Sequence, residues 1–469
     1  MRIRMLGQHV HASIAVLSLV EAAVFFAAIY AATLARFDID LDALSVFRAR
    51  SGALWPRALL FSAVMVMSLL AFGLYSSRQR ARLTGMVLRV ALALMTGAVI
   101  TGTVFYLFPA LWIGRDVVML AAIGGLCGVT LSRVVFTHLI DENVFKRRVL
   151  VYGAGDSAAS IEGLRRRADR RGFVLLGFVP THPSERSVIS DRIVHFGSSL
   201  VELCQQLNVV EVVVAMDDRR AGFPIAELLA CRLAGIEVTE LPTFLERETG
   251  RVRLDVLNPS WLIFGPGFRR DLLRRITSRT LDLAASLSVL ALTFPFILLA
   301  ALAIKLEDGW RAPVLYRQKR VGLGGRPFDV LKFRSMRTDA ERDGRPQWAQ
   351  KLDPRITRVG SLIRLSRIDE LPQLFNVLRG EMSLVGPRPE RPEFVAELAE
   401  RIPYYIERHC VKPGITGWAQ LCYPYGSSEQ DALEKLQYDL YYLKNAGLLF
   451  DLAILLQTVE VVLLGKGAR

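Results

Sequence analysis

The spacing of hydrophobic and polar residues divides the chain into three stretches of different rhythm. The first, residues 1–146, holds four apolar runs at 10–35, 54–75, 90–113 and 117–136. Each is near the ~20 residues that cross a bilayer core, so a four-helix membrane bundle is predicted. The first run is too long, and too closely followed by others, to read as a cleaved signal peptide. Glu21 lies inside it and is expected to face the bundle interior. The second stretch, 147–265, alternates short β-rich segments with helical ones: strands near 148–152, 173–179 and 209–215, helices near 159–170 and 199–207, and a further helix and strand within 225–239. That alternation predicts a parallel sheet. The third stretch, 266–469, opens on an apolar segment at 281–304, continues through strands near 313–322 and 328–333, and closes on a second apolar run at 448–464.

Basic residues orient these runs. Arg2 and Arg4 precede the first, Arg78, Arg80, Arg82 and Arg89 fill the second connection, and Lys146, Arg147 and Arg148 follow the fourth. Positive-inside logic then puts both ends of the bundle in the cytoplasm. The same logic argues against a crossing at 281–305. Arg269, Arg270, Arg274, Arg275 and Arg279 precede that segment, and Lys305, Arg311, Arg317, Lys319 and Arg320 follow it. Pro295 divides it into halves of about 13 residues, roughly 20 Å of helix each, against a ~30 Å hydrocarbon core. A proline removes a backbone hydrogen bond and bends a helix, so a re-entrant helix over 281–305, broken at Pro295, is predicted. The final run carries Asp451, Gln457 and Glu460 and predicts a helix lying at the membrane interface.

Composition supports a membrane protein: 52% of the 469 residues are hydrophobic, and the mean hydropathy is +0.32. The formal charge of +14 suits an anionic bilayer surface or phosphorylated substrates. Nucleic acid is not expected as a partner, since the arginines flank apolar runs and no recognition motif accompanies them. The five cysteines are scattered with no CxxC pair, so neither a disulfide framework nor a zinc site is indicated.

Two stretches carry candidate chemistry. Gly153-Ala154-Gly155-Asp156-Ser157-Ala158 follows a predicted strand and opens a predicted helix. This is a GxGxxA turn whose amides could receive a phosphate, which makes Gly153, Gly155 and Ala158 candidate nucleotide-binding residues of a Rossmann-like domain. The second strand ends Gly177-Phe178-Val179-Pro180, without the carboxylate that holds a ribose, so a redox role is disfavoured. The other stretch, 366–390, reads SRIDELPQLFNVLRGEMSLVGPRPE. Alone, Asp369-Glu370 would be an acidic first helical turn complementing the macrodipole.

The surrounding motifs change that reading. KFRSM at 332–336, RLSRIDELPQLFNVL, MSLVGPRP and KPGITGWAQ at 412–420, in this order, resemble the bacterial sugar transferase family, the polyprenyl-phosphate phosphoglycosyl transferases with one re-entrant membrane helix. The resemblance covers roughly 269–464. It implies that Asp369 is a nucleophile, that Glu370 is a ligand of Mg2+, and that Lys332 stands near the phosphate site. Arg364 and Arg388 would clamp phosphate oxygens, for which guanidinium geometry is suited. Tyr404, Tyr405, Arg408, His409 and the 412–420 motif match segments that fold over the site. His409 is expected to be structural, because a phosphate acceptor is already ionised. The family commonly breaks its membrane helix at a Ser-Pro pair; here Phe294 precedes Pro295, and Thr293 is the nearest polar neighbour. Large members also carry a membrane bundle and a Rossmann-like domain of regulatory or structural role.

The expected fold is therefore a multi-domain integral membrane protein. It has an α-helical bundle (1–146), an α/β Rossmann-like middle domain (147–265) and an α+β catalytic domain (266–469). The expected activity moves a sugar phosphate from a nucleoside diphosphate sugar, a UDP-sugar by preference, to polyprenyl phosphate. This would occur on the cytoplasmic face of a bacterial inner membrane and prime a surface glycan. A membrane-tethered nucleotide-sugar oxidoreductase and a non-enzymatic assembly regulator are the alternatives. Homo-oligomerisation is left open.

Overall fold

The computed structural model describes residues 2–5, 8–36, 53–72, 74–75, 83–139, 146–256, 272–337 and 355–463, except 165–166, 171, 183–184, 186, 189, 196–198, 219–221, 424–425 and 427 within them. Arg78, Arg80, Arg82, Arg269 and Arg270, and the expected boundary at 265–266, lie outside these residues. The chain falls into two compact units, Met1–Thr249 and Gly250–Arg469.

The first unit starts with a short antiparallel hairpin, β1 (Arg2–Met5) and β2 (Gln8–His11). Four helices follow, Ala12–Arg36, Trp55–Ala71, Leu83–Leu107 and Arg115–Leu139. Among the described residues, four helices are long and apolar enough to cross a membrane: Val16–Arg36, Arg89–Leu107 and Arg115–Phe136 here, and Leu272–Asp308 in the second unit. The helix Trp55–Ala71 is shorter, about 25 Å at 1.5 Å per residue. Glu21 faces the bundle interior as its sequence context predicts, fully buried. Arg133 donates to it through Nε (2.6 Å) and Nη2 (3.0 Å), and the Tyr75 hydroxyl donates to Oε2 at 2.5 Å. A charge in an apolar bundle is tolerable only with such partners.

The same unit holds a four-stranded parallel sheet, β3 (Arg147–Tyr152), β4 (Phe173–Val179), β5 (Glu211–Val214) and β6 (Glu237–Glu240), in spatial order β4-β3-β5-β6. The strands occur where the α/β alternation predicts them, and near-continuous apolar runs such as Val149–Tyr152 are buried as parallel strands require. The first helix is shorter than its pattern suggests. It ends at Glu162 with Gly163 as its C-cap, and a separate 3-10 turn forms at Arg167–Arg170.

The second unit is built on the helix Leu272–Asp308. Its backbone remains helical through Pro295, so the expected interruption does not end the element. The Thr293 hydroxyl donates to the Val289 carbonyl at 2.7 Å, a back-bond of the kind that bends helices. Three charged side chains, Arg279, Asp282 and Glu307, each make two hydrogen bonds that fasten this helix to the rest of its unit. Arg279 donates to the Val377 and Leu378 carbonyls (2.6 and 2.7 Å), closing the C-terminal end of the helix Gln373–Arg379. Asp282 accepts from Ser383 Oγ and Leu384 N, both at 2.9 Å. Glu307 accepts from the Arg358 and Val359 amides (2.8 and 2.9 Å) and so caps the helix Arg358–Leu365.

An antiparallel hairpin, β7 (Leu315–Val321) and β8 (Pro327–Phe333), appears where strand, glycine turn and strand are predicted. A short parallel pair, β9 (Ser383–Val385) and β10 (Gly414–Thr416), completes the α+β unit. The last helix, Leu448–Leu463, packs one face inward: Ile454 is fully buried, and Asp451 accepts from the Tyr442 hydroxyl at 2.8 Å. One of the polar groups that suggested an interfacial helix, Asp451, is thus engaged with the unit itself, and on the same helix Thr458 Oγ1 meets Thr416 Oγ1 at 2.7 Å.

Candidate active site

Asp369 and Glu370 sit on a single 3-10 turn, Ile368–Glu370, between the helices Arg358–Leu365 and Gln373–Arg379. Three residues per turn sets neighbouring side chains about 120° apart, so the two carboxylates face different surroundings. The turn is entered through Arg367, whose φ of +58° is left-handed for a residue with a Cβ. Such a backbone costs on the order of 1 kcal/mol or more and persists where the surroundings over-determine it.

Asn376 fixes the helix that follows the turn. Its Oδ1 accepts from Leu331 N (3.0 Å), and its Nδ2 donates to Asp329 O (2.8 Å) and Glu381 Oε2 (2.7 Å). The helix after the carboxylates is thereby locked to β8, which carries Lys332. On the other side, β9 leads into Gly386-Pro387-Arg388-Pro389. Gly386 N donates to Thr416 O and Gly414 N to Pro387 O, both at 2.9 Å. A Cβ on Gly386 would lie 2.4 Å from the Lys412 carbonyl oxygen, so only glycine lets the 412–420 motif cross this turn.

These elements bring four of the expected residues together. Glu370 Oε1 lies 3.2 Å from Arg388 Nη2 and 3.6 Å from Lys332 Nζ, and Oε2 is 3.9 Å from Arg367 Nη1. Burial opposes the charge of Glu370, but Arg388, Lys332 and Arg367 outweigh it and draw its carboxyl down to about 2. Asp369 is the reverse case. Its side chain is buried (8% exposed), and Oδ1 has no hydrogen-bond partner. Burial first and the Glu370 charge second push its carboxyl up, against the pull of Lys332, Arg364 and Arg367. Burial also lowers Lys332. Arg364 acts on Asp369 through its charge, while its own Nη1 is buried without a hydrogen-bond partner.

Arg408 carries the Tyr405–Cys410 turn. It donates to Tyr405 Oη (2.7 Å) and to the Arg388 carbonyl (3.1 Å), and it pairs with buried Asp439 at 2.8 Å. His409 is buried with Nδ1 3.2 Å from the Ile406 carbonyl, and burial, then Arg408, lowers it to about 4. That is a structural setting. The sequence places Arg408 in a segment that folds over the site, but it does not mark Arg367, Asn376 or the pairing of Arg408 with Asp439. Only the left-handed Arg367 and the buried polar contacts reveal them.

The model of the bacterial sugar transferase family matches residues 273–465, a segment containing all of these groups. A UDP-glucose:undecaprenyl-phosphate glucose-1-phosphate transferase of Caulobacter vibrioides is 45% identical over 190 residues, 40% of this chain and 70% of that protein. An exopolysaccharide production protein of Rhizobium leguminosarum is 41% identical over 198 residues, 41% of this chain and 98% of that protein. This chain belongs to the bacterial sugar transferase family. A third relative, a UDP-N-acetylgalactosamine-undecaprenyl-phosphate N-acetylgalactosaminephosphotransferase of Aeromonas hydrophila, is 43% identical over 253 residues, 54% of this chain. The chain spans 58% of that relative's length. As a bacterial sugar transferase, the chain carries Asp369, Glu370, Lys332 and Arg388 within the matched segment, in the geometry just described.

Proposed function

We propose that the protein transfers a sugar phosphate from a nucleoside diphosphate sugar, a UDP-sugar by preference, to polyprenyl phosphate, releasing UMP. The observation that carries this reading is the asymmetry of the carboxylate pair: Glu370 is saturated with cations, while buried Asp369 presents an oxygen with no hydrogen-bond partner. An ionised Asp369 oxygen attacks the phosphorus bearing the sugar, the bond to the bridging oxygen breaks, and UMP leaves. The acceptor's phosphate oxygen then attacks the same phosphorus and restores Asp369. Lys332, Arg364 and Arg367 favour the ionised nucleophile against burial. Arg388, 39% exposed, is placed to exchange its contact with Glu370 for phosphate oxygens.

The donor set suits Mg2+. Once Arg388 turns to the substrate phosphates, Glu370 is a hard oxygen ligand, and Mg2+ is commonly held by one or two carboxylates with substrate phosphates and water. When bound, the ion neutralises charge that develops on the diphosphate oxygens. The names of the relatives, which act on undecaprenyl phosphate with UDP-glucose or UDP-N-acetylgalactosamine, support the same substrate classes. With donor labelled in the sugar-bearing phosphate and no acceptor present, denatured protein is expected to retain about one label per chain. Ordinary turnover without retained label would sink the covalent step.

The same reading sets the domains at 1–146, 147–265 and 266–469 and makes 281–305, within the helix Leu272–Asp308, re-entrant, with the catalytic unit at the cytoplasmic face of the inner membrane. The support is Pro295, the Thr293 back-bond and the basic residues Arg274, Arg275, Arg279 and Lys305 at both ends of the helix. A C-terminal reporter active only outside the cytoplasm is expected to stay silent, and an active one would mean that the helix crosses.

A further inference from the structure

In an open parallel sheet, a ligand sits beyond the carboxyl ends of the strands, where the strand order reverses. With the order β4-β3-β5-β6, that point is the crevice between β3 and β5, and the glycine-rich turn 153–158 borders it. The crevice is spanned by the chain's own carboxylates. Asp217, from the segment after β5, accepts from Asp156 N through Oδ2 (2.9 Å) and from Ser157 N through Oδ1 (2.8 Å). Glu185, from the segment after β4, accepts from Ala154 N (2.9 Å) and Thr181 N (3.0 Å), and from the Thr181 hydroxyl. These are the amides that a phosphate would need.

Each residue of the motif has a reason within the fold. Gly153 has φ +123°, and a Cβ there would lie 2.4 Å from the Ala215 carbonyl oxygen, so glycine lets the ends of β3 and β5 meet. A Cβ on Gly155 would lie 1.9 Å from Asp217 Oδ2, so glycine admits the carboxylate. Ala158 is fully buried in the core. Burial disfavours the charge of Asp217, yet the bonds from Ser157 and Asp156 prevail and keep its carboxyl below the ordinary range. A diphosphate on these amides would have to expel two carboxylates and then lie beside them, where like charges repel. The end of β4 adds no carboxylate for a ribose: it runs Gly177-Phe178-Val179-Pro180.

We infer that the glycine-rich turn is closed by Asp217 and Glu185 as an internal clasp, and that the middle sheet takes neither a dinucleotide nor a nucleoside diphosphate there. Hydrogen exchange of the full-length protein in nanodiscs tests this locally, apart from any binding in the catalytic unit. Peptides covering 153–162 are expected to be protected without ligand and unchanged by NAD+ or UDP at about 1 mM, a concentration that reveals even weak sites. Asp217→Ala should speed exchange at 156–157 about tenfold, the scale of one lost hydrogen bond. Slower exchange in these peptides on adding either nucleotide, or unaltered exchange in Asp217→Ala, would overturn the clasp. The label-retention experiment on Asp369 is independent of both outcomes.

Discussion

Asp369→Asn is expected to lower UMP release by about 10³-fold or more, equivalent to roughly 4 kcal/mol of lost transition-state stabilisation. The amide keeps the shape of the side chain and removes only its nucleophilic charge. Stability should move the other way. Folding raises the Asp369 carboxyl, so the ionised form is the one that the folded state disfavours. A neutral isostere beside Glu370 removes that repulsion, and the melting temperature should hold or rise. Loss of turnover together with an unchanged or higher melting temperature separates chemistry from misfolding. Wild-type turnover in the variant would remove Asp369 from the mechanism.

The second large effect is on stability, at Arg408. Replacing it with Met takes the ion-pair partner from buried Asp439 and leaves the charges of Glu390 and Lys435 acting on it. Breaking one side of a buried ion pair costs about 3–5 kcal/mol. For a unit of this size, that lowers the melting temperature by roughly 10 °C. Even with Arg408 present, burial holds the Asp439 carboxyl up at about 6, and without the arginine it rises further. A carboxyl raised on folding favours the protonated folded state. Its contribution is therefore complete below the unfolded value of about 4 and is lost as pH climbs through the folded value. The deficit of Arg408→Met should accordingly widen from pH 5 to pH 8. Pairing it with Asp439→Leu should recover most of the loss. A variant that melts like wild type across that range would show the pair to be energetically idle.

What could be read from the chain alone follows from the range of the interactions. Membrane helices and buried strands announce themselves through local periodicity, and the carboxylate pair through an ordered set of motifs. The 3-10 turn could not be read that way, because Asp369-Glu370 suits the start of an α-helix equally well and only a left-handed Arg367 selects the tighter form. Nor could the Arg408–Asp439 pair, whose members are far apart in sequence with no periodic relation. Asn376 looks like one more polar residue on an amphipathic helix until its three bonds to β8 and Glu381 are seen. The turn at 153–158 shows the converse. Its glycines match a ligand-binding pattern, while the carboxylates that fill it come from the segments after β4 and β5.

The contacts of Arg279, Asp282 and Glu307 have a mechanical consequence. They fasten the helix Leu272–Asp308 to backbone groups at both ends of the carboxylate-bearing region: the helix after it, the strand that leads to Arg388, and the helix before it. The helix and the site therefore behave as a lever and its head. With the helix seated in a bilayer as proposed above, a change in its inclination is expected to swing Asp369 along the same arc.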